Sequence, residues 1–196
     1  EICACLVGSE MCIRDSCKYA LICNGGILLV DGIEDPEWYS ETLSLISPES
    51  SELQAIKELV QQVLLTSVLH DVCGLFFYIK HDNPALFAKQ LMKVAHPKNI
   101  CILHDRHKVY CLPSMLNKGN AIERFAKKFG EAISIAAGDS EFDIPMLARA
   151  DTRIIPPVLE QYLPTENTIT ISTSVFSDGI CNYLSTIAKR GTHKHE

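Results

Sequence analysis

One stretch decides the fold of this chain: Ile133-Ser134-Ile135-Ala136-Ala137-Gly138-Asp139-Ser140-Glu141-Phe142-Asp143-Ile144-Pro145-Met146-Leu147. The apolar alternation of Ile133, Ile135 and Ala137 predicts a strand that ends at Gly138. The apolar residues from Ile144 onward follow the spacing of one face of a helix. A strand, a glycine turn and a helix in this order are typical of an α/β sheet.

Two acids stand in the turn between these elements. Asp139 would lie at the carboxyl end of the strand, the edge at which α/β sheets bind ligands, and Asp143 lies one helical turn further. Adjacent carboxylates repel each other unless a cation lies between them, and Mg²⁺ prefers oxygen ligands. The pair therefore predicts a magnesium site. The alternative is that Asp139 caps a helix and that Asp143 is a solvated acid in its first turn.

A lysine upstream favours the magnesium interpretation. Lys118 stands in Leu116-Asn117-Lys118-Gly119-Asn120-Ala121-Ile122, at the start of the preceding predicted helix. A lysine charge beside a helix amino terminus suits a phosphate group. Lys-Gly before one helix and Gly-Asp-Ser-x-x-Asp before the next resemble motifs three and four of the haloacid dehalogenase (HAD) superfamily. The finer match is to the Cof-type (IIB) phosphatases, which include sucrose-phosphate phosphatases, although these usually carry Asn where this chain has Phe142.

The resemblance covers the chain from about residue 18 to residue 190 and implies an α/β fold. A Rossmann-like HAD core with a parallel sheet would comprise residues 17–33 and 113–191, and an inserted α/β cap domain would comprise residues 34–112. Within residues 34–112, helical stripes and short strands predict a helix pair on a small sheet. Here His104 and His107 could bind a metal, but a solvated hairpin turn is the better interpretation.

The family chemistry implied by the resemblance is Mg²⁺-dependent hydrolysis of a phosphate monoester through an aspartyl-phosphate. The substrate would be a small phosphorylated metabolite, such as a sugar phosphate. Asp139 would bind the metal, and Asp143 would bind it or orient its water and Lys118. Lys118 would neutralise the phosphate and the nucleophile, and Ser140 would contact the phosphate through its hydroxyl or its backbone N–H.

The first 16 residues are expected to be foreign to the rest of the chain. Residues 10–16 back-translate to the transposase mosaic end that serves as a sequencing adapter, so the native frame is expected to begin near Cys17. A HAD phosphatase needs an Asp-x-Asp pair after its first strand, as nucleophile and as general acid and base. This sequence contains no such pair.

The chain is therefore expected to be an inactive fragment of a phosphatase. One alternative is a non-catalytic phosphate- or metabolite-binding protein of the same fold. A receiver-like signalling module is a weaker alternative, because receivers use carboxylates, Mg²⁺ and a lysine but carry no inserted cap.

Composition narrows the partners and the location. With 24 acidic against 18 basic residues, the net charge of -6 disfavours a nucleic-acid partner. No apolar run has membrane-spanning length, and the nine cysteines do not have the spacing of a secreted disulfide framework. We expect a cytoplasmic protein without membrane or nucleic-acid partners, monomeric when complete.

Overall fold

The computed structural model describes residues 2–4, 18–63, 68–130 and 134–192. The chain forms two compact units, Glu1–Ala121 and Ile122–Glu196. Most of the segment expected to be foreign, and Ile133 of the predicted strand, lie outside the described residues. In the described ranges, no helix combines the length and the apolar character that crossing a membrane requires.

The first unit begins with a four-stranded sheet whose strands lie in chain order: β1 (Ile2–Ala4), β2 (Tyr19–Ile22), β3 (Ile27–Val30) and β4 (Ile33–Glu34). β1 pairs with β2 in parallel, and β2 pairs with β3 antiparallel. The turn between β2 and β3 contains Asn24 at φ +58° and Gly25 at φ +89°, left-handed conformations that Asn and Gly adopt readily. Local turn chemistry therefore accounts for the hairpin of β2 and β3.

Helix α1 (Pro36–Ile46) follows, which was not predicted from the sequence. The Asp35 carboxylate caps it by accepting the N–H of Trp38 at 3.0 Å, and Pro36 occupies the first helical position. Trp38 is fully buried, and its indole Nε1 donates to the Gly25 carbonyl at 3.0 Å. The helix is thus joined directly to the β2–β3 turn.

The rest of the first unit is a helix pair on a four-stranded antiparallel sheet, as the sequence predicts. The helices are α2 (Ser50–Val63) and α3 (Pro84–Ala95). The strands lie in the order β5 (Leu69–Val72), β6 (Phe76–Lys80), β8 (Lys108–Pro113) and β7 (Ile100–Asp105). Helix residues such as Ile56 and Leu91 pack in one core with strand residues such as Phe77 and Val109. The helices therefore cover one face of this sheet.

Two glutamates near the start of α2 form hydrogen bonds to the loops at one end of this sheet. Glu49, only 7% exposed, accepts the Ser114 hydroxyl at 2.6 Å and the Met115 N–H at 3.3 Å. Glu52 accepts the Asn99 N–H at 3.1 Å. Because one loop precedes β7 and the other follows β8, the two carboxylates hold the chain where it enters β7 and where it leaves β8.

The helix α4 (Lys118–Phe129) leads into the second unit, which contains a three-stranded parallel sheet. Its strands lie in the order β11 (Thr168–Thr170), β10 (Thr152–Ile155) and β9 (Ile135–Ala137), and the last helix is α6 (Phe176–Thr192). The predicted strand before Gly138 is thus confirmed as β9.

One local expectation in the second unit was wrong. The helix predicted from Ile144 onward is only one turn long, α5 (Ile144–Leu147), and a 3₁₀ turn, Glu141–Asp143, precedes it. Ile135 is 39% exposed, whereas Ala136 is buried. The apolar alternation therefore marks the strand β9 but not its buried face.

Candidate active site

The loop after β9 is built around the carboxylate of Asp143. This side chain is 5% exposed. Its Oδ2 atom accepts the N–H of Asp139 at 3.1 Å, the N–H of Ser140 at 3.1 Å and the Ser140 hydroxyl at 2.8 Å. Three donors offset much of the cost of burying a charge. Asp143 therefore fixes the backbone of the two residues that follow Gly138.

Gly138 makes this geometry possible. A Cβ at this position would stand 2.4 Å from the Cβ of Asp143 and 2.8 Å from its Cγ, closer than side chains approach each other. The N–H of Gly138 donates to the Ile154 carbonyl of β10 at 3.1 Å. Gly138 is thus held by the parallel sheet on one side and by Asp143 on the other.

Asp139 stands at the carboxyl end of β9, as the sequence predicts, and its side chain is exposed. The alternative in which Asp139 caps a helix and Asp143 is solvated is wrong on both counts. Ser140 occupies the cap position of the Glu141–Asp143 turn, and Asp143 is buried. The reason is that the carboxylate of Asp143 turns back onto the loop and away from solvent.

Lys118 is the first residue of α4, and two asparagines fix the turn before it. The Oδ1 atom of Asn117 accepts the N–H of Asn120 at 2.9 Å, as a helix cap does. The Nδ2 atom of Asn24 donates to the Leu116 carbonyl at 2.7 Å. Lys118 is half-buried, and its charge adds to the positive end of the helix dipole. This end of α4 is therefore suited to an anion.

Gly25 lets the β2–β3 turn lie directly against α4. A Cβ on Gly25 would stand 2.2 Å from the Cβ of Ala121. Leu21, Gly25, Lys118 and Ala121 line one small void. This Asn-Gly turn positions the helix start of Lys118, a role that was not predicted from the sequence. Its signal was the Asn-Gly pair, which favours a left-handed turn.

The predicted residues fall into two sets. Asp139, Ser140 and Asp143 are brought together in the second unit by hydrogen bonds. Lys118 lies in the first unit, so its convergence with the acids stays a prediction. Phe142 is half-buried at the position where the Cof-type family usually has Asn.

The donor set fits a magnesium ion in part. Asp139 offers an exposed carboxylate, whereas the Oδ2 atom of Asp143 is already committed to three hydrogen bonds. Mg²⁺ commonly takes only one or two carboxylates and keeps several waters. Within residues 2–4, 18–63, 68–130 and 134–192, no group of three or more His, Cys, Asp or Glu side chains could hold a metal ion, His104 and His107 included.

Comparison with known proteins identifies the fold. No family model and no curated protein matches the sequence, but solved structures do. The chain has the α/β fold of the HAD-like hydrolases, a Rossmann-like core with a cap, which confirms the resemblance at the level of the fold.

Two of these structures show the extent of the match. The sucrose-phosphatase of Synechocystis sp. PCC6803, solved with sucrose and phosphate, matches with a TM-score of 0.59 and 16% identity, over 88% of this chain and 73% of its own. The protein SMU.1108c of Streptococcus mutans UA159 matches with a TM-score of 0.53 and 13% identity, over 85% of this chain and 77% of its own.

Proposed function

We propose that this fold serves the Mg²⁺-dependent hydrolysis of a phosphate monoester of a small metabolite, such as a sugar phosphate. One observation carries the proposal. The loop from Gly138 to Asp143 presents an exposed carboxylate at the carboxyl end of a parallel strand, and a buried carboxylate holds that loop. The edge formed by such strand ends is where α/β sheets bind ligands. The sugar-phosphate class is supported by the fold shared with a sucrose-phosphatase.

Each residue has a role that follows from its contacts. Asp139, exposed, would be a magnesium ligand. Asp143 would hold Asp139 and Ser140 in place through its three hydrogen bonds. It would therefore influence metal binding by positioning Asp139. Lys118 would neutralise phosphate charge at the start of α4. When bound, Mg²⁺ would supply charge neutralisation of the phosphoryl oxygens.

The chain as given carries no Asp-x-Asp pair, so it has no residue for the nucleophilic step through an aspartyl-phosphate. We expect no hydrolysis above background, because loss of a covalent nucleophile costs several orders of magnitude in rate. The same observation favours a second candidate function, a non-catalytic phosphate- or metabolite-binding protein of this fold. A cytoplasmic location, a monomeric state and the absence of nucleic-acid partners stay predictions.

Two measurements test these proposals. The first is turnover of p-nitrophenyl phosphate with and without Mg²⁺, for which we expect none. Turnover that requires Mg²⁺ and disappears in Asp139→Ala would refute the assignment of an incomplete site.

The second measurement is calorimetric titration with Mg²⁺ and with phosphate. Two carboxylates and one lysine leave a net charge of only about -1, so we expect millimolar Mg²⁺ affinity or weaker. Micromolar Mg²⁺ affinity that is lost in Asp143→Asn would contradict this expectation. Micromolar binding of a phosphorylated metabolite without turnover, lost in Lys118→Gln, would instead support the binding protein. The matched control is Lys89→Gln, which replaces an exposed lysine on α3.

A further inference from the structure

The sheet β5-β6-β8-β7 has a second face, opposite to α2 and α3. Side chains alternate along each strand, so Tyr78 and Tyr110 point away from the core that contains Phe77, Ile79 and Val109. Both tyrosines are half-buried. This face therefore presents aromatic rings that the helix pair does not cover.

Three rings form a row across this face. His70 stacks on Tyr78 with ring centroids 4.7 Å apart and an interplanar angle of 13°. Tyr78 and Tyr110 lie 5.6 Å apart. The Lys108 Nζ atom stands 4.7 Å from the centroid of the Tyr78 ring, within the range of a cation–π contact. A cationic group thus lies over the middle ring of the row.

Lys108 also belongs to a groove of about 740 Å³ beside that row. The groove lies where β6 ends and where the β7–β8 hairpin turns, and the backbone of the two segments is joined by the His81 N–H, which donates to the His107 carbonyl at 2.9 Å. Its lining comprises Lys80, His81, Asp82, Asp105, Arg106, His107 and Lys108.

The charges of the groove favour an anion. Three permanent cations face two carboxylates, and two histidines supply further donors. In the described part of the chain, no carboxylate lies within ion-pair distance of Lys80 or Arg106. The described side chains also include no group of three ligands for a metal ion, which argues against a divalent cation in the groove.

The groove is separate from the neighbourhood of Lys118. Strand β8 runs from Lys108 at the groove to Pro113, and at about 3.3 Å per residue it spans about 17 Å. The turn that packs on α4 lies at the far end of the sheet, because a Cβ on Gly26 would meet Leu75, which precedes β6, at 2.5 Å. A small metabolite bound at one end cannot reach the other.

We propose that this groove binds the phosphate group of a small phosphorylated ligand whose ring lies along the aromatic row. Lys80 and Arg106 hold the phosphate, and Tyr78 contacts the ring. Arginine and lysine are the side chains that recognise phosphate most effectively. The site goes beyond the proposed function, because it is a second phosphate site that Lys118 does not form.

The test follows backbone amide shifts by NMR during titration with inorganic phosphate and with glucose 6-phosphate, at constant ionic strength. We expect both ligands to shift the amides of residues 80–82 and 105–108. Lys80→Gln/Arg106→Gln should weaken both affinities at least tenfold. Tyr78→Leu should weaken glucose 6-phosphate binding alone, which separates an ester ligand from free phosphate. Lys118→Gln should leave these shifts unchanged, so failure of the proposed function is distinguishable from failure of this site.

The matched control is Lys89→Gln/Lys93→Gln, which removes the same charge from exposed positions on α3. The proposal is overturned if the control weakens binding as much as Lys80→Gln/Arg106→Gln does, since that result means a diffuse charge effect. It is also overturned if neither ligand shifts the groove amides, or if sodium chloride shifts them equally.

Discussion

Replacement of Gly138 by alanine tests the geometry of the Asp139–Asp143 loop. The new Cβ would lie 2.4 Å from the Cβ of Asp143, whereas carbon atoms pack at about 3.5–4.0 Å. Asp143 must therefore retreat by more than about 1 Å. That movement breaks or lengthens the hydrogen bonds that its Oδ2 atom accepts from Asp139 and Ser140.

The cost has two parts. Overpacking costs about 1–3 kcal/mol, and each hydrogen bond to a buried charge contributes about 1.5–3 kcal/mol. If the loop gives up one such bond, the free energy of unfolding falls by about 2.5–6 kcal/mol. With a urea dependence of about 2 kcal/mol per molar, a loss of 3 kcal/mol lowers the unfolding midpoint by about 1.5 M. Urea titration followed by circular dichroism measures this change.

Two variants separate the contributions. Gly130→Ala introduces backbone strain alone, because Gly130 has φ +72° and no atom of the described residues lies within 4 Å of the added Cβ. It should cost about 1–2 kcal/mol. Ser140→Ala removes one of the three hydrogen bonds without a clash and should cost about 1.5–3 kcal/mol. If Gly138→Ala costs no more than Gly130→Ala, the packing of Asp143 against Gly138 is not as described.

Three further results are expected. Gly25→Ala should displace the first turn of α4, because its Cβ would lie 2.2 Å from that of Ala121; phosphate binding that depends on Lys118 should weaken, and unchanged affinity would contradict the reasoning. Burial raises the pKa of the Cys111 thiol to about 12, so the thiol stays protonated at pH 8. A disulfide reagent at that pH should modify the exposed Cys73 and leave Cys111 unmodified until urea unfolds the chain. Equal rates at both thiols in the native protein would show that Cys111 is accessible. Glu49→Ala should leave the Ser114–Met115 connection without its acceptor and cost about 2–3 kcal/mol, whereas Glu58→Ala, at an exposed site, should cost less than about 1 kcal/mol in the same urea titration.

The sequence predicted those features that depend on local pattern. The strand before Gly138, the Asp139 position at its carboxyl end and the helix pair on a small sheet follow from periodicity and turn residues. Helix α1 escaped prediction because its buried residues, Trp38, Thr42 and Ile46, form a narrow stripe with a threonine at its centre. A stripe that narrow carries little periodic signal.

The burial of Asp143 could not be predicted either. An acid in the first turn of a helix is usually solvated, and only the contact with Gly138 and the backward hydrogen bonds decide otherwise. Such contacts depend on how the chain folds back at a single turn, which no spacing of residues encodes. The meeting of Lys118 with Asp139 depends on tertiary placement in the same way and stays a prediction.

The burial of Trp38 gives the protein an internal optical reporter. It is the single tryptophan of the chain, it is shielded from water, and its indole N–H is held by the carbonyl of Gly25. Any event that loosens the turn beneath Lys118 would alter the environment of the one indole, and its emission would shift to longer wavelength as water reaches the ring. Changes at the lysine end of the candidate site can therefore be followed in real time, without a label.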